Sequence, residues 1–95
     1  MRNPKPTYED KCVICGQPYA CTHEIFFGRK NREISQKHGF VVKLCYNHHQ
    51  RNDKQYRGVH FNKDMDNAFK MMAQREFEET HTREEFRKLI GKSYL

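Results

Sequence analysis

The chain has 95 residues, a length that suits one small domain. Only 36% of its residues are hydrophobic and tryptophan is absent, so the core is small and a bound metal ion would add much stability. The formal net charge is +6 and the pI is about 9.3, which favours a polyanionic partner, above all nucleic acid. A membrane role is not expected, because no stretch approaches the ~20 apolar residues that a membrane span needs.

The start of the sequence gives an expectation about the compartment. Residues 1–11 are polar, include two prolines and contain no apolar run, so we expect no signal peptide and a cytoplasmic protein. Thiols stay reduced in that compartment. The four cysteines, two of them in a Cys-x2-Cys pair, therefore indicate metal binding rather than disulfides.

The first elements in chain order are a flexible basic N-terminus over residues 1–10 and then a single domain over residues 11–95. The domain begins with a zinc-knuckle pattern, in which Cys12 and Cys15 are followed at once by Gly16. A knuckle is a tight turn, and glycine tolerates the positive φ that such a turn requires. The pattern therefore predicts two metal ligands at the start of the domain.

Two strands and a helix are predicted next. Aromatic and β-branched residues predict strands over residues 19–27 and 40–44, and the polar, basic residues 28–38 between them predict a loop. A helix is predicted over residues 47–55. Residues 57–60, which include a glycine, predict a break after it.

The C-terminal third predicts two helices. Apolar residues at helical spacing predict the first over residues 64–79. Thr82 and Glu85 form the pattern of a capping box, which predicts the start of the second helix, and Gly91 predicts its end. The residues expected on the buried faces are Met65, Ala68, Phe69, Met72, Phe77, Phe86, Leu89 and Ile90.

A second pair of metal ligands follows the strand over residues 40–44. Cys45 and His48 have the same x2 spacing as Cys12 and Cys15, and together the four match the tetrahedral sulfur and nitrogen set of a structural zinc. Cys21 is a competing ligand, although its place in a strand running away from the knuckle predicts a buried free thiol instead.

His49 is left over next to this zinc set. Its position at the start of a helix, after two strands of which the first carries His23, resembles the HNH endonucleases. The resemblance covers residues 12–60 and is nearest to small phage-encoded HNH proteins associated with recombination. The matching motifs are Cys12-x2-Cys15, His23-Glu24-Ile25 and Leu44-Cys45-x2-His48-His49.

The resemblance implies a ββα-metal fold, here an α+β domain with a zinc-stapled ββα core over residues 12–60 and a helical extension over residues 63–95. It also implies that His23 is a general base and that His49 binds a catalytic divalent metal, either magnesium or manganese. His60 follows the first helix and is the candidate for a second ligand or a phosphate contact, against a structural or surface role.

The sequence departs from the family at two places. Thr22 stands where many members carry a metal ligand, and Phe40 stands where the family has the asparagine that orients the base. Asn31 or a backbone carbonyl is a candidate replacement for that asparagine. These departures support an alternative, a catalytically inactive zinc-stabilised DNA-binding module, and a structural zinc adaptor is the third hypothesis.

The predicted function is thus metal-dependent hydrolysis of DNA phosphodiester bonds in phage or prophage recombination, with DNA and a possible recombination protein as partners. Basic side chains are expected to contact phosphates, which sets affinity and salt dependence more than sequence preference. The predicted DNA-binding residues are Arg29, Lys30, Arg32, Lys37 and Arg51.

Overall fold

A computed structural model describes residues 5–28 and 30–95 of the chain. The described residues form a small α+β structure with a two-stranded antiparallel sheet, four α-helices and one short 3-10 helix. None of these helices is long and apolar enough to cross a membrane. The elements are β1 Cys21–Glu24, α1 Asn31–His38, β2 Val41–Leu44, α2 Tyr46–His49, the 3-10 helix Val59–Phe61, α3 Lys63–Phe77 and α4 Arg83–Ile90.

The predicted loop over residues 28–38 is wrong, because helix α1 occupies most of it. Gly39 ends this helix in the left-handed conformation, with φ 74°, and its N–H bonds the carbonyl of Ser35. The helix lacks an apolar stripe, since its only aliphatic residue is Ile34 and its buried residue is the polar Ser35. Hydrophobic periodicity therefore could not reveal it.

The two strands are confirmed but are shorter than predicted, since each has four residues. One further hydrogen bond, from the N–H of Ile25 to the carbonyl of Phe40 (2.9 Å), lies just beyond the paired strands. On β2, the carbonyl of Lys43 accepts from the N–H of Val13 (2.9 Å). This bond attaches the knuckle to the sheet.

The helix predicted over residues 47–55 ends early, since α2 has only four residues. The reason lies at Asp53, whose carboxylate accepts hydrogen bonds from the N–H groups of Gln55 and Tyr56, each at 2.9 Å. Such local side-chain bonds offer the backbone an alternative to the helix. The predicted break at residues 57–60 is only partly non-helical, because the 3-10 helix already begins at Val59.

The chain divides into two compact units that interleave in sequence. The first unit contains residues 5–23 and Val41–Lys63, and the second contains Glu24–Phe40 and Asp64–Leu95, of which Arg29 lies outside the described residues. The predicted arrangement of a flexible N-terminus before one domain stays a prediction.

The first unit has a very small apolar core. Its buried apolar side chains among the described residues are Ala20, Leu44 and Val59, together with the thiols of Cys12 and Cys45. Two large aliphatic side chains offset little of the conformational entropy lost on folding. This unit therefore needs a further source of stability.

The second unit has an aromatic core. The ring of Phe26 lies 5.4 Å from that of Phe40, 5.5 Å from that of Phe86 and 5.6 Å from that of Tyr94, measured between centroids. Phe77 contacts Phe86 at 5.7 Å. Tilted and edge-to-face contacts at such distances stabilise a core beyond simple burial. Apolar packing thus accounts for the stability of the second unit.

The face of α3 differs from the prediction. Ala68 and Met72 are exposed, whereas Ala73 and Gln74 are buried. Burial of Gln74 is tolerated because its side-chain oxygen accepts a hydrogen bond from the N–H of Tyr94 (2.7 Å). This bond attaches the C-terminal segment to α3. A buried polar side chain that serves the backbone of a distant segment leaves no apolar signal in the sequence.

The last helix, α4, is confirmed together with its capping box. The side chain of Thr82 accepts from the N–H of Glu85 (3.1 Å), and the carboxylate of Glu85 accepts from the N–H of Thr82 (2.9 Å). Gly91 ends the helix with φ 112°. Phe86 and Ile90 are buried as predicted.

Replacing Thr82 with alanine removes the oxygen that caps α4. We expect Thr82→Ala to lower the free energy of unfolding by about 1 kcal/mol, the usual cost of losing such a cap. Urea denaturation followed by circular dichroism measures the change. Thr80→Ala, an exposed threonine just before the helix, is the matched control and should unfold as the native chain does.

Candidate functional site

Two clusters of side chains in the first unit could each hold a metal ion, and in each the possible ligand atoms all lie within 4.8 Å of one another. We call them the Cys3His cluster and the histidine trio. The Cys3His cluster consists of Cys12, Cys15, Cys45 and His48, and the histidine trio consists of His23, His49 and His60.

The Cys3His cluster is built from the knuckle and the junction of β2 with α2. Within the knuckle, the N–H of Gly16 bonds the carbonyl of Cys12 (2.9 Å), and Gly16 has φ 77°. That left-handed conformation is open to glycine at little cost and turns the chain back on itself. On the other side, Cys45 directly precedes α2, whose third residue is His48.

The distances in the Cys3His cluster fit one tetrahedral metal ion. The sulfurs of Cys15 and Cys45 lie 3.6 Å apart, and the Nδ1 atom of His48 lies 3.7 Å from the sulfur of Cys12 and 3.2 Å from that of Cys45. Tetrahedral zinc, with Zn–S near 2.3 Å and Zn–N near 2.05 Å, would separate two sulfurs by about 3.8 Å and sulfur from nitrogen by about 3.6 Å. The four residues could therefore bind a metal such as zinc with little movement.

The electrostatics of the cluster also favour a cation. Burial alone would raise the pKa of the Cys12 thiol, but backbone hydrogen bonds from Cys45, Cys15 and Ile14 outweigh it and lower this pKa to about 6. The pKa of Cys45 is raised, first by burial and then by the neighbouring thiols. Cys12 therefore favours the thiolate, the form of a thiol that binds metal.

Cys21 does not join either cluster. Its thiol is free and exposed, so the prediction of a buried thiol is wrong. Cys21 is the first residue of β1, and at that end a two-stranded sheet covers it poorly. The structure therefore brings the other three cysteines, and not Cys21, together with His48.

The histidine trio brings together three elements. His23 lies on β1 and is only 2% exposed, His49 is the last residue of α2, and His60 lies in the 3-10 helix. Successive residues on a helix point about 100° apart. For that reason His48 faces the Cys3His cluster while His49, one residue later, faces the trio.

The distances in the trio are compatible with a shared ion. The Nε2 atoms of His49 and His60 lie 3.0 Å apart. The ring centroid of His23 lies 5.0 Å from that of His49 and 5.1 Å from that of His60. Two imidazole nitrogens on one tetrahedral ion would lie about 3.3 Å apart. The sequence left open whether His60 is a ligand or phosphate contact. The structure brings its side chain into the trio.

Gly58 makes this convergence possible. Its N–H bonds the carbonyl of Arg51 (2.6 Å), which closes the loop between α2 and the 3-10 helix. A Cβ atom at position 58 would lie 2.5 Å from the backbone carbon of His49 and 2.7 Å from the N atom of Gln50. Only glycine therefore lets the segment that carries His60 approach the end of α2.

Neither cluster includes a carboxylate. The carboxylate of Glu24 accepts hydrogen bonds from Arg32 (3.2 Å) and Gln36 (2.9 Å), and the hydroxyl of Thr22 accepts one from Lys43 (2.6 Å). The trio thus offers imidazole nitrogen alone, a donor that suits first-row transition ions better than magnesium.

Phe40 and Asn31, the family's asparagine position and its candidate replacement, both lie outside the histidine trio. Phe40 is buried in the aromatic core of the second unit, where it serves packing. Asn31 is the first residue of α1, also in the second unit. Neither residue belongs to the trio, so orientation of His23 by a side-chain amide stays a prediction.

The predicted DNA-binding residues are spread over both units. Arg29 lies outside the described residues. Lys30 and Lys37 are exposed on the second unit, and Arg32 pairs with Glu24. The loop that we expected to carry them is helix α1.

Arg51, in the first unit, forms an ion pair with Asp53 and donates to the side chain of Asn47 (3.0 Å). In its described residues the first unit has seven Lys and Arg against three Asp and Glu, a formal charge of +4, whereas the second has nine of each. The excess positive charge therefore belongs to the unit that carries both clusters. Charge counted over the whole chain could not show this, because the two units interleave in sequence.

Comparison of the chain with protein-family models, with curated proteins and with solved structures finds no match.

The Cys3His cluster gives a stability prediction. We expect one tightly bound zinc per chain, and we expect Cys45→Ser to lose it and to unfold the first unit, because the remaining apolar core there is small. Elemental analysis and near-UV circular dichroism measure the two effects. Cys21→Ser removes a thiol outside the cluster and should retain zinc; full zinc in Cys45→Ser and loss in Cys21→Ser would contradict the assignment.

Gly58 gives a prediction about the trio alone. We expect Gly58→Ala to separate His60 from His49, because the added methyl group would overlap the backbone of α2. Cobalt titration monitored by absorption distinguishes thiolate-bound from imidazole-bound metal. The variant should keep the thiolate signal and lose a second, weaker binding event, whereas Lys54→Ala, an exposed residue of the same loop, should keep both.

Proposed function

We propose that this chain is a metal-dependent endonuclease of the HNH type, which hydrolyses DNA phosphodiester bonds at the histidine trio. The observation that carries the proposal is the convergence of His23, His49 and His60 beside a separate Cys3His cluster. A structural metal needs four ligands, and the Cys3His cluster supplies them all. Three further histidines gathered next to it have no part in that structural role.

The proposed ββα-metal arrangement consists of β1, β2 and α2. Support comes from the order of these elements, with His23 on the first strand and His49 in the short helix that follows the second. His49 is the last residue of this one-turn helix, whereas the sequence predicted it at the start of a longer one. Helix α1 lies between the strands in sequence and is an addition to that arrangement. The C-terminal helices α3 and α4 form the extension.

In the proposed mechanism His23 accepts the proton of the attacking water. Histidine suits this role because its ordinary pKa lies close to physiological pH. The buried position of His23 on a strand supports the assignment, since a base held by the sheet keeps its orientation during the reaction. The neighbouring rings of His49 and His60 limit its movement further.

His49 and His60 are the proposed ligands of the catalytic ion. Bound there, a divalent metal would polarise a phosphate oxygen and stabilise charge on the leaving oxygen. Because both ligands are imidazoles, we propose a first-row transition ion such as manganese, cobalt or nickel in preference to magnesium. His60 is exposed and thus open to an incoming phosphate, while His49 is half-buried.

The Cys3His cluster is the proposed site of a structural zinc. Support comes from the small apolar core of the first unit, which a metal with four ligands from two distant segments would hold together. The formal charge of +4 on the described residues of this unit supports DNA as the partner. The role in phage recombination rests on the sequence resemblance alone, and the cytoplasmic setting rests on the polar start of the sequence and on its cysteine pattern.

Plasmid cleavage tests the proposal. We expect purified protein to nick supercoiled plasmid, more strongly with manganese, cobalt or nickel than with magnesium. His23→Gln should reduce the rate by at least about 100-fold, the contribution expected of a general base, while plasmid binding in a gel-shift assay is retained.

His81→Ala is the matched control, because His81 is exposed in the second unit, and it should cleave at the native rate. Retained zinc in each variant shows that the first unit is folded. Intact plasmid with every ion, together with normal DNA binding, would replace the nuclease by the inactive zinc-stabilised DNA-binding module. Loss of both cleavage and binding in the native chain would favour a structural adaptor.

A further inference from the structure

Tyr19 has a backbone conformation that is unusual for its side chain. Its φ is 61°, and among the described residues no other non-glycine residue has a positive φ. The left-handed region is disfavoured for residues with a Cβ atom, and a bulky residue there is an outlier. Strain of this kind persists where the surrounding structure enforces it, often at functional sites.

Hydrogen bonds on both sides enforce the conformation. The N–H of Tyr19 bonds the carbonyl of Thr7 (3.1 Å), and the N–H of Ala20, which is fully buried, bonds the carbonyl of Asp10 (2.8 Å). The carboxylate of Asp10 in turn accepts from the N–H of Thr7 (2.7 Å) and lies 3.5 Å from the ammonium group of Lys43. The turn at residues 7–10 is therefore attached firmly to the knuckle and to β2.

The enforced conformation does not bury the ring of Tyr19. The residue is 60% exposed, and its neighbour Tyr8 is 59% exposed. Their ring centroids lie 6.1 Å apart with the planes at 78°. The ammonium nitrogen of Lys11 lies 3.5 Å from the centroid of the Tyr8 ring. Two rings and a cation are thus held at the surface, where packing does not explain them.

This arrangement fits one class of ligand. A planar, π-rich group can stack on one ring and meet the other with its edge, and a negative group next to it would face Lys11. An unpaired nucleobase with its phosphate has both features. In a duplex the faces of the bases are covered by their neighbours, so stacking of this kind selects single strands. The positive charge of the first unit favours the same partner.

We infer that Tyr8, Lys11 and Tyr19 form a clamp for an unpaired base, which directs the protein to single-stranded or locally opened nucleic acid. The inference rests on the proposed function in so far as DNA is the partner there, but the clamp requires no cleavage. Lys11 directly precedes Cys12 and Tyr19 follows the knuckle, so a metal in the Cys3His cluster would also stabilise the clamp.

Fluorescence anisotropy with a labelled oligothymidylate of about 12 nucleotides, and with a duplex of the same length, tests the clamp in buffer without added divalent ions. The main variant is Tyr19→Gly, because glycine removes the ring and also relieves the left-handed strain. We expect it to unfold at the same or a higher urea concentration than the native chain. It should bind the single strand about tenfold more weakly and the duplex unchanged.

Two further variants separate the ring from the rest of the side chain. Tyr8→Leu should weaken single-strand binding as Tyr19→Gly does, and Tyr8→Phe should restore it, because the aromatic face is what stacks. Tyr46→Ala is the matched control, since Tyr46 is 67% exposed in the same unit but is not in the clamp. It should bind as the native chain does.

Several outcomes would overturn the clamp. Native single-strand affinity in Tyr19→Gly would do so, as would equal loss of affinity in Tyr19→Gly and Tyr46→Ala. A large loss of stability in Tyr19→Gly with native affinity would assign the tyrosine to folding. The nuclease proposal is judged separately, because plasmid cleavage without tyrosine-dependent binding refutes the clamp alone, and tyrosine-dependent binding without cleavage refutes the nuclease alone.

Discussion

The first unit depends on the convergence of Cys12, Cys15, Cys45 and His48. Apolar burial there is confined to a few side chains, so the unit lacks the core that supports the aromatic second unit. The two ligand pairs come from segments about thirty residues apart in sequence. A metal ion at this point would therefore close a long loop and define the knuckle, the sheet junction and α2 together.

The histidine trio follows from that geometry. Once His48 is directed towards the Cys3His cluster, the helical turn directs His49 elsewhere, and the buried strand places His23 opposite it. Gly58 then lets the returning chain bring His60 against the backbone of α2. The proposed catalytic centre is thus a consequence of the proposed structural centre, and damage to the Cys3His cluster should reach both.

The first unit also differs from the second in its charge and in its exposed tyrosines. The positive excess of the described residues, the Cys3His cluster, the histidine trio and the exposed pair Tyr8 and Tyr19 all belong to the first unit, whereas the described residues of the second are balanced in charge. The second unit has a well-packed aromatic core and a capped helix. The proposed chemistry and the proposed contact with nucleic acid thus both belong to the first unit.

Features that depend on short-range chemistry could be predicted from the order of the amino acids. The x2 spacing predicted the four residues of the Cys3His cluster, the spare His49 indicated a second site, and Thr82 with Glu85 predicted the start of α4. Three other features depend on how distant segments pack in the fold. Helix α1 has no apolar stripe to reveal it, the exclusion of Cys21 depends on where the sheet ends, and the place of His60 depends on a backbone contact at Gly58. These outcomes arise from contacts between segments distant in the chain, and local residue patterns do not encode such contacts.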